Sequence, residues 1–594
     1  MSSMSRSSTE TCWTCRVRKK KCDRKRPTCS ACHSLDITCY NGNNRPSWVD
    51  NDLERDQFAD RIKAQIKEKA ECRREKSYVK VLPLGRVRKP KTDLAAAGRP
   101  SKKTQSRQAI QAQEGALKDL SCYGCSKNGY SPPESDRPGS LPENPALLGI
   151  SNDIDTDLEI TFLDYAFPFL FPFYRPSIFK GGRGWLLATL RKSMPLFHTA
   201  MGFSTYFFIL VMTDIANGEH EVCKGLVEGK LISHVDTAIK AMRQGIEDLA
   251  ACGELASTEE KAHLMEGVVQ LLVFETNISA TNEWGIHLNA AVSLFKEIFE
   301  QNNPQNGRMD LDLVLAKMQK TGWAAVSSSH RIFNPAQGAF MFYVAVIIFA
   351  DIISATILGD APKLREYHSL LINDGCGPVD SRGLLLDLED SVGCRSWILL
   401  LIADIASLVE GKKQGRISRD DLLIEGNRIA EKLQHGITIL KDNPGKPVAS
   451  IGSFQAYSNP ESLSQTIDTT TYSLIWAHAT VLYLFVTTSG WQEQHEIIQE
   501  NVSSAIELLD KISSPAILRS LAWPFCVVGC LASTDQEETF RRIASRMGNL
   551  SAFGTLLEAL RIMEQVWSTR GERDVENWDF TYCFRILSSI PLLI

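Results

Sequence analysis

From residue 153 onward, apolar positions recur with the 3.6-residue period of an α-helix. Leu231, Val235, Ile239, Met242, Ile246 and Leu249 step by four, four, three, four and three, which places them on one helix face. Ser257-Thr258-Glu259-Glu260 has the form of a capping box that opens a further helix, with Leu264, Val268 and Leu271 inside it. Ser418 with Asp421, and Thr534 with Glu537, mark two more helix starts, and Leu556, Leu560, Met563 and Trp567 repeat the helical pattern near the end. Strand-like alternation is scarce. The apolar run 339–350, which ends at Asp351, is shorter than the roughly 20 residues of a membrane span and predicts a buried core helix. The pattern therefore predicts a large all-α domain of a dozen or more helices over residues 153–594.

That domain begins with a crowd of aromatic residues: Phe162, Tyr165, Phe167, Phe169, Phe171, Phe173 and Tyr174. Flanking acidic residues (Asp153, Asp155, Asp157, Glu159, Asp164) give it the composition of an activation segment, but so much aromatic surface favours core. Upstream, residues 83–152 carry eight prolines among Gly, Ser and Lys and predict a disordered basic linker, since they have too little apolar surface to offset ordering entropy. Within it, Gly98-Arg99-Pro100 reads as part of a flexible basic tether, and Cys122 with Cys125 as an incidental pair. Residues 46–82 predict a charged helical extension in which Leu53, Phe58, Ile62 and Ile66 recur at helical spacing. They do not sustain the three or four heptads of a coiled coil, so a short helix packing on its neighbour or on nucleic-acid phosphates competes with a dimer zipper.

Charge divides the chain more sharply than its net value of −4 suggests. Residues 1–107 hold 27 Lys+Arg against 12 Asp+Glu, a surplus of +15, and the remainder carries −19. A basic arm on an acidic body points to a polyanionic partner for the arm. Basic clusters at 19–26 and 86–91 suit nuclear import.

The first 45 residues show no helical period, and their pattern is one of cysteines. Cys12, Cys15 and Cys22 are spaced C-x2-C-x6-C, and after six residues Cys29, Cys32 and Cys39 repeat that spacing. Zinc is borderline-soft and prefers four tetrahedral sulfur or nitrogen ligands. Six thiolates are too many for one ion, and two ions need eight ligand positions, so the count closes if two thiolates bridge. The repeat suggests its equivalent members, Cys12 and Cys29. Two zinc ions and six thiolates leave a charge of −2, which the run Arg16-Val17-Arg18-Lys19-Lys20-Lys21 helps to offset. A disulfide framework would need an oxidising compartment, and the polar first 20 residues show no secretory signal. Cations inside a metal cage suit double-stranded DNA: a lysine or arginine facing guanine O6 and N7 is the commonest specific base contact, and the other cations neutralise phosphates. His33, beside Cys32, reads as a surface histidine because the cysteines already fill the coordination shell.

The string Cys12-Trp13-Thr14-Cys15-Arg16-Val17-Arg18-Lys19-Lys20-Lys21-Cys22-Asp23, with Arg26-Pro27-Thr28-Cys29-Ser30-Ala31-Cys32 and Cys39, resembles the fungal binuclear zinc-cluster transcription factors. The resemblance implies one zinc on Cys12, Cys15, Cys22 and Cys29, and a second on Cys29, Cys32, Cys39 and Cys12. It further implies a short helix after Cys15 whose C-terminal carbonyls, with Lys19, read a CGG-type triplet, while Arg16, Arg18 and Lys21 mostly hold phosphate and Pro27 shapes the link between the halves. Phe162-Leu163-Asp164-Tyr165, the run 169–176, Gly181-Gly182-Arg183-Gly184-Trp185, and Trp284 with His287 resemble the regulatory domain of a subgroup that includes the acriflavine sensitivity control regulators.

This implies a nuclear regulator of RNA polymerase II transcription with a zinc module at 1–45. Its effector domain would answer to a coregulator or a small molecule and govern a metabolic, drug-resistance or secondary-metabolite gene set. Activator or repressor, half-site spacing, and monomer or homodimer stay open. The alternative is a zinc-bearing scaffold or redox sensor that binds nucleic acid nonspecifically. A phosphate loop, a nucleophile elbow and a dinucleotide-binding motif are all lacking, so no enzyme is expected. Trp284 and His287 read as core residues rather than ligands.

Overall fold

The computed structural model describes residues 11–25, 28–33, 38–40, 62, 156–176, 182–215, 221–252, 256–278, 283–302, 311–318, 333–374, 384–442, 447–450, 465–571 and 578–594. The chain divides into two compact units, Met1–Pro83 and Leu84–Ile594. The linker expected at 83–152, with Arg99 and the Cys122–Cys125 pair, lies outside the described residues, as does Pro27.

In the first unit the described helices are short: α1 (Trp13–Val17) and α2 (Ser30–His33). Their core is sulfur. Cys12, Cys15, Cys29 and Cys32 form one buried cluster with Ile62, the single described residue of the extension, and Val17, Ala31, Cys22 and Cys39 pack around it. Ile62 is helical and only 4 % exposed. At this position the extension packs against the metal module.

The second unit is helical, as the periodicity predicts. Its principal helices are α3 (Met194–Ile215), α4 (Glu221–Cys252), α5 (Thr258–Asn277), α6 (Trp284–Gln301), α7 (Pro335–Leu358), α8 (Ser396–Lys413), α9 (Arg419–Asp442), α10 (Thr469–Ser489), α11 (Pro515–Arg519), α12 (Ala522–Cys530) and α13 (Leu556–Ser568). Neighbours pair as α3 with α4, α5 with α6, and α12 with α13. The only sheet among the described residues is a two-stranded antiparallel pair, β1 (Pro447–Ser450) with β2 (Gln465–Asp468), in the register Pro447↔Asp468.

α7 is the central helix. Asn334 and Gln337 close a capping box at its start, Pro335 occupies its first turn where no N–H is needed, and Gly359 ends it at φ 65°. By length and composition α7 alone among the described helices could cross a membrane, but 89 % of its most apolar stretch is buried within the protein. It packs against α5, α6 and α8, so it is the core helix that its run of apolar residues predicts.

The aromatic block at 162–174 is also core. Phe162, Phe167, Phe169, Phe173 and Tyr174 are buried, and Tyr165 faces outward. Phe167 and Trp185 both meet Phe342 of α7, with ring centres 5.6 and 5.2 Å away, and the Trp185 indole N–H donates to the Tyr174 hydroxyl at 2.8 Å. The capping signals hold at two of three places. Ser257 Oγ accepts from the Glu260 N–H, and Ser418 Oγ accepts from that of Asp421. The third start differs: that helix spans Glu537–Ser545, with Gln536 at its cap. Thr534 instead accepts a hydrogen bond from Arg570 at 3.1 Å, and the turn before the helix is closed by the Ser533 N–H donating to Gln536 Oε1 at 3.0 Å. His287 is buried in α6, where desolvation lowers its pKa to about 4 and keeps it neutral.

Candidate metal centre and nucleic-acid interface

Local hydrogen bonds fold the cysteine repeats onto one another. Cys12 caps α1 in extended conformation, and its Sγ accepts from the Cys15 N–H at 3.3 Å. The C-x2-C spacing thus sets two sulfurs at the start of a helical turn. In the second pair the Cys32 N–H likewise bonds the Cys29 thiol, and it also donates to the Cys29 carbonyl at 3.0 Å. Thr14, between the first two cysteines, ties in the third member of the other repeat. Its hydroxyl donates to the Thr38 carbonyl at 2.8 Å and accepts from the Tyr40 N–H at 3.1 Å, one residue either side of Cys39. Asp23 does the same for Cys22: it accepts from the Ser30 N–H at 2.9 Å and from the Ser30 hydroxyl at 2.6 Å, beside Cys29. Those bonds from Ser30 hold the Asp23 carboxyl below its ordinary range.

The sulfur geometry fits zinc. Cys12 and Cys15 lie 3.7 and 3.6 Å from Cys29, and each lies 3.9 Å from Cys32. A tetrahedron with zinc–sulfur bonds of about 2.3 Å has edges of about 3.8 Å. Cys22, Asp23 and Cys29 form a second group whose donor atoms lie within 4.8 Å of one another. Cys39 packs on the same cluster and hydrogen-bonds with Cys12. Cys29 therefore belongs to both donor groups, and Cys12 meets sulfurs of both repeats. The tight quartet takes one C-x2-C pair from each repeat, whereas the resemblance assigns Cys15 and Cys32 to different ions. Cys12 and Cys29 are central in either arrangement.

Burial pushes the thiols of Cys12, Cys15 and Cys32 up. At Cys29 burial also opposes ionisation, but the Cys32 N–H and the neighbouring thiols outweigh it and lower the pKa to about 6. Zinc ligation must displace protons from the other three, so metal uptake is coupled to proton release.

The cations are not equivalent. Arg16 is exposed and lies over the Trp13 ring at 4.7 Å. Arg18 is half-buried, and its Nη1 is enclosed without a hydrogen-bond partner among the described residues, so it is less free for phosphate than the sequence suggests. Lys19, Lys20 and Lys21 are exposed. Lys19 also has φ 52°, in the left-handed region. The Lys20 N–H donates to the Cys15 carbonyl at 3.0 Å and the Lys19 N–H to that of Arg16 at 3.2 Å, a Schellman ending for α1. Glycine is the usual residue at such a position, because a side chain there costs about 1 kcal/mol. Strain of this kind collects where a side chain must be held for function. No motif in the sequence announces it; only the close of a five-residue helix after Val17 does.

Comparison with known proteins agrees with this geometry. Residues 10–48 match the family described as the fungal Zn(2)-Cys(6) binuclear cluster domain, which binds two zinc ions, and residues 160–590 match the fungal specific transcription factor domain. The chain is 33 % identical to the transcription factor dibT of Pestalotiopsis microspora, over 98 % of both chains. It is 27 % identical to the pestheic acid cluster transcriptional regulator 3 of Pestalotiopsis fici over 96 % of each, and 22 % identical to the ustiloxin B cluster transcription factor ustR of Aspergillus flavus over 97 % of this chain and 96 % of that one. No solved structure matches the chain.

Proposed function

The chain belongs to the fungal transcription factors that carry a Zn(2)-Cys(6) binuclear cluster, and from that premise we propose that it is a nuclear, pathway-specific regulator of RNA polymerase II transcription that reads CGG-type half-sites. Cys12, Cys15, Cys22 and Cys29 hold one zinc; Cys29, Cys32, Cys39 and Cys12 hold the other. Bound zinc ties the two repeats into one rigid unit. Lys19 then reads guanine, Lys20, Lys21 and Arg16 contact phosphate, and Arg18 supports the turn from within. Residues 83–152 tether this reader to the helical domain, which tunes its output through a coregulator or a small molecule. The names of relatives that serve pestheic acid and ustiloxin B clusters favour a secondary-metabolite gene set.

Lys19, exposed and left-handed at the close of α1, carries the proposed reading of DNA; Arg24, also exposed, has a similar backbone at φ 60° but does not follow the helix. Footprinting with the full chain on selected sites tests it. Protection centred on a CGG triplet, weakened by about 1–3 kcal/mol in Lys19→Ala, is the expected outcome. Equal losses on specific and random duplexes would leave only a phosphate contact. Gel filtration of the chain with one and two half-sites distinguishes monomer from homodimer.

A further inference from the structure

Trp13 follows the first cysteine and opens α1. An indole offers zinc no ligand atom, and the residue is half-buried outside the sulfur core. Its backbone is fixed across the module. The Trp13 N–H donates to the Tyr40 carbonyl at 2.8 Å, and its neighbour Thr14, wholly buried, is tied to Thr38 and Tyr40. Arg16 lies three residues on, over the same face of α1. Its guanidinium carbon sits 4.7 Å from the centre of the Trp13 ring, and its N–H donates to the Cys12 carbonyl at 3.0 Å. An aromatic face on an anchored backbone therefore orders this cation.

The partner matters because it is not an acid. Asp23 is the only carboxylate among the described residues of the first unit, and it accepts from Ser30 and pairs with Lys25 at 3.8 Å. A carboxylate on Arg16 would neutralise its charge and occupy its donors. A ring face does neither. The guanidinium is planar and its five N–H donors lie in that plane, so stacking leaves them open to a phosphate. Arg16 is exposed, and its carbonyl accepts the Lys19 N–H at 3.2 Å, which ties the stacked residue to the left-handed lysine. Phosphate contacts fix the register in which base contacts are made.

We propose that Trp13 is a positioning residue: it holds the Arg16 guanidinium ready for a phosphate of the duplex, and through that contact sets where Lys19 meets the bases. The inference deepens the proposed reading of DNA and rests on it. Binding of the full zinc-loaded chain to a duplex with a CGG site, measured across a salt series with zinc content read for each variant, tests it. Trp13→Leu keeps an apolar side chain but removes the ring face. It should weaken binding roughly two- to ten-fold, the cost of ordering a free arginine on contact. Its salt dependence should match the parent's, since no charge is lost, whereas Arg16→Ala should lower the slope by about one. Added to Arg16→Ala, Trp13→Leu should cost nothing further. Trp13→Phe, which keeps a ring under the guanidinium, should retain most of the parent's affinity. Parent-like affinity in Trp13→Leu overturns the proposal, as does a loss undiminished in the Arg16→Ala background. So does release of zinc from Trp13→Leu, which would make Trp13 a support of the metal module instead. A parent that protects no CGG site sinks the proposed function; these results, on a site that the parent does protect, sink only this inference.

Discussion

Cys15, Cys29 and Cys32 are each wholly buried in a unit whose longer described helix has five residues, whereas Ile347, Ile348 and Ile353 are wholly buried in a unit whose central helix has 24. Burial is equally complete in both, but its source differs. The helical unit excludes water with side chains drawn from a dozen packed elements. Among the described residues of the zinc unit the buried cluster is four sulfurs and Ile62, a small apolar area beside the entropy of ordering a chain. In the first case cohesion is spread over many contacts; in the second it is concentrated in two ions.

The largest effect that would break this comparison is metal loss. Structural zinc contributes about 10–16 kcal/mol of apparent folding free energy in small modules. Cys29→Ala removes the sulfur common to both donor groups. It should release zinc and unfold the first unit while the thermal transition of the helical unit stays in place. A variant that kept two zinc ions and normal DNA affinity would refute the placing of Cys29 as a bridge.

The converse experiment is a deletion in the large core. Trp523 is wholly buried, stacks on Trp476 with ring centres 5.4 Å apart, and donates to Thr356 Oγ1 at 2.8 Å. Trp523→Ala should cost about 3–5 kcal/mol and lower the helical transition. Zinc content should not change. A fall in bound zinc would mean that the two units share their stability.

Ile62→Ala is smaller and falls on the boundary between the two kinds of core. Removing a buried isoleucine from an apolar core costs about 2–5 kcal/mol, and a cluster clamped by metal should lie at the low end. Denaturation of the zinc-loaded protein, followed through Trp13, reads the loss. No change would mean that the cysteine cluster holds without the extension.

How far the sequence foretold this follows the same division. Period and capping disclosed the helices of the second unit because those signals act within a few residues, as at Ser257 and Ser418. Thr534 shows the limit: its local signal is intact, but the helix starts at Glu537 and the Thr534 hydroxyl meets Arg570, 36 residues on. The six cysteines were legible because metal chemistry constrains their count. What spacing could not show is that Arg18 turns inward while Lys19 turns left-handed, since the two are adjacent and chemically alike.

The smallest effect is the most discriminating, because stability and function should move in opposite directions. Lys19 holds φ 52° at the close of α1, where glycine has no Cβ to crowd the preceding carbonyl. Lys19→Gly should stabilise the zinc-loaded first unit by roughly 1 kcal/mol, read from its denaturation midpoint. The same variant should lose selective binding to CGG sites while keeping most of its salt-dependent affinity for random duplex, since Lys20 and Lys21 remain exposed. If the variant were less stable than the parent, the left-handed turn would be sustained by contacts of the lysine itself. If it were more stable and equally selective, the strain would serve no part in reading DNA, and specificity would have to come from Lys20, Lys21 or Arg16.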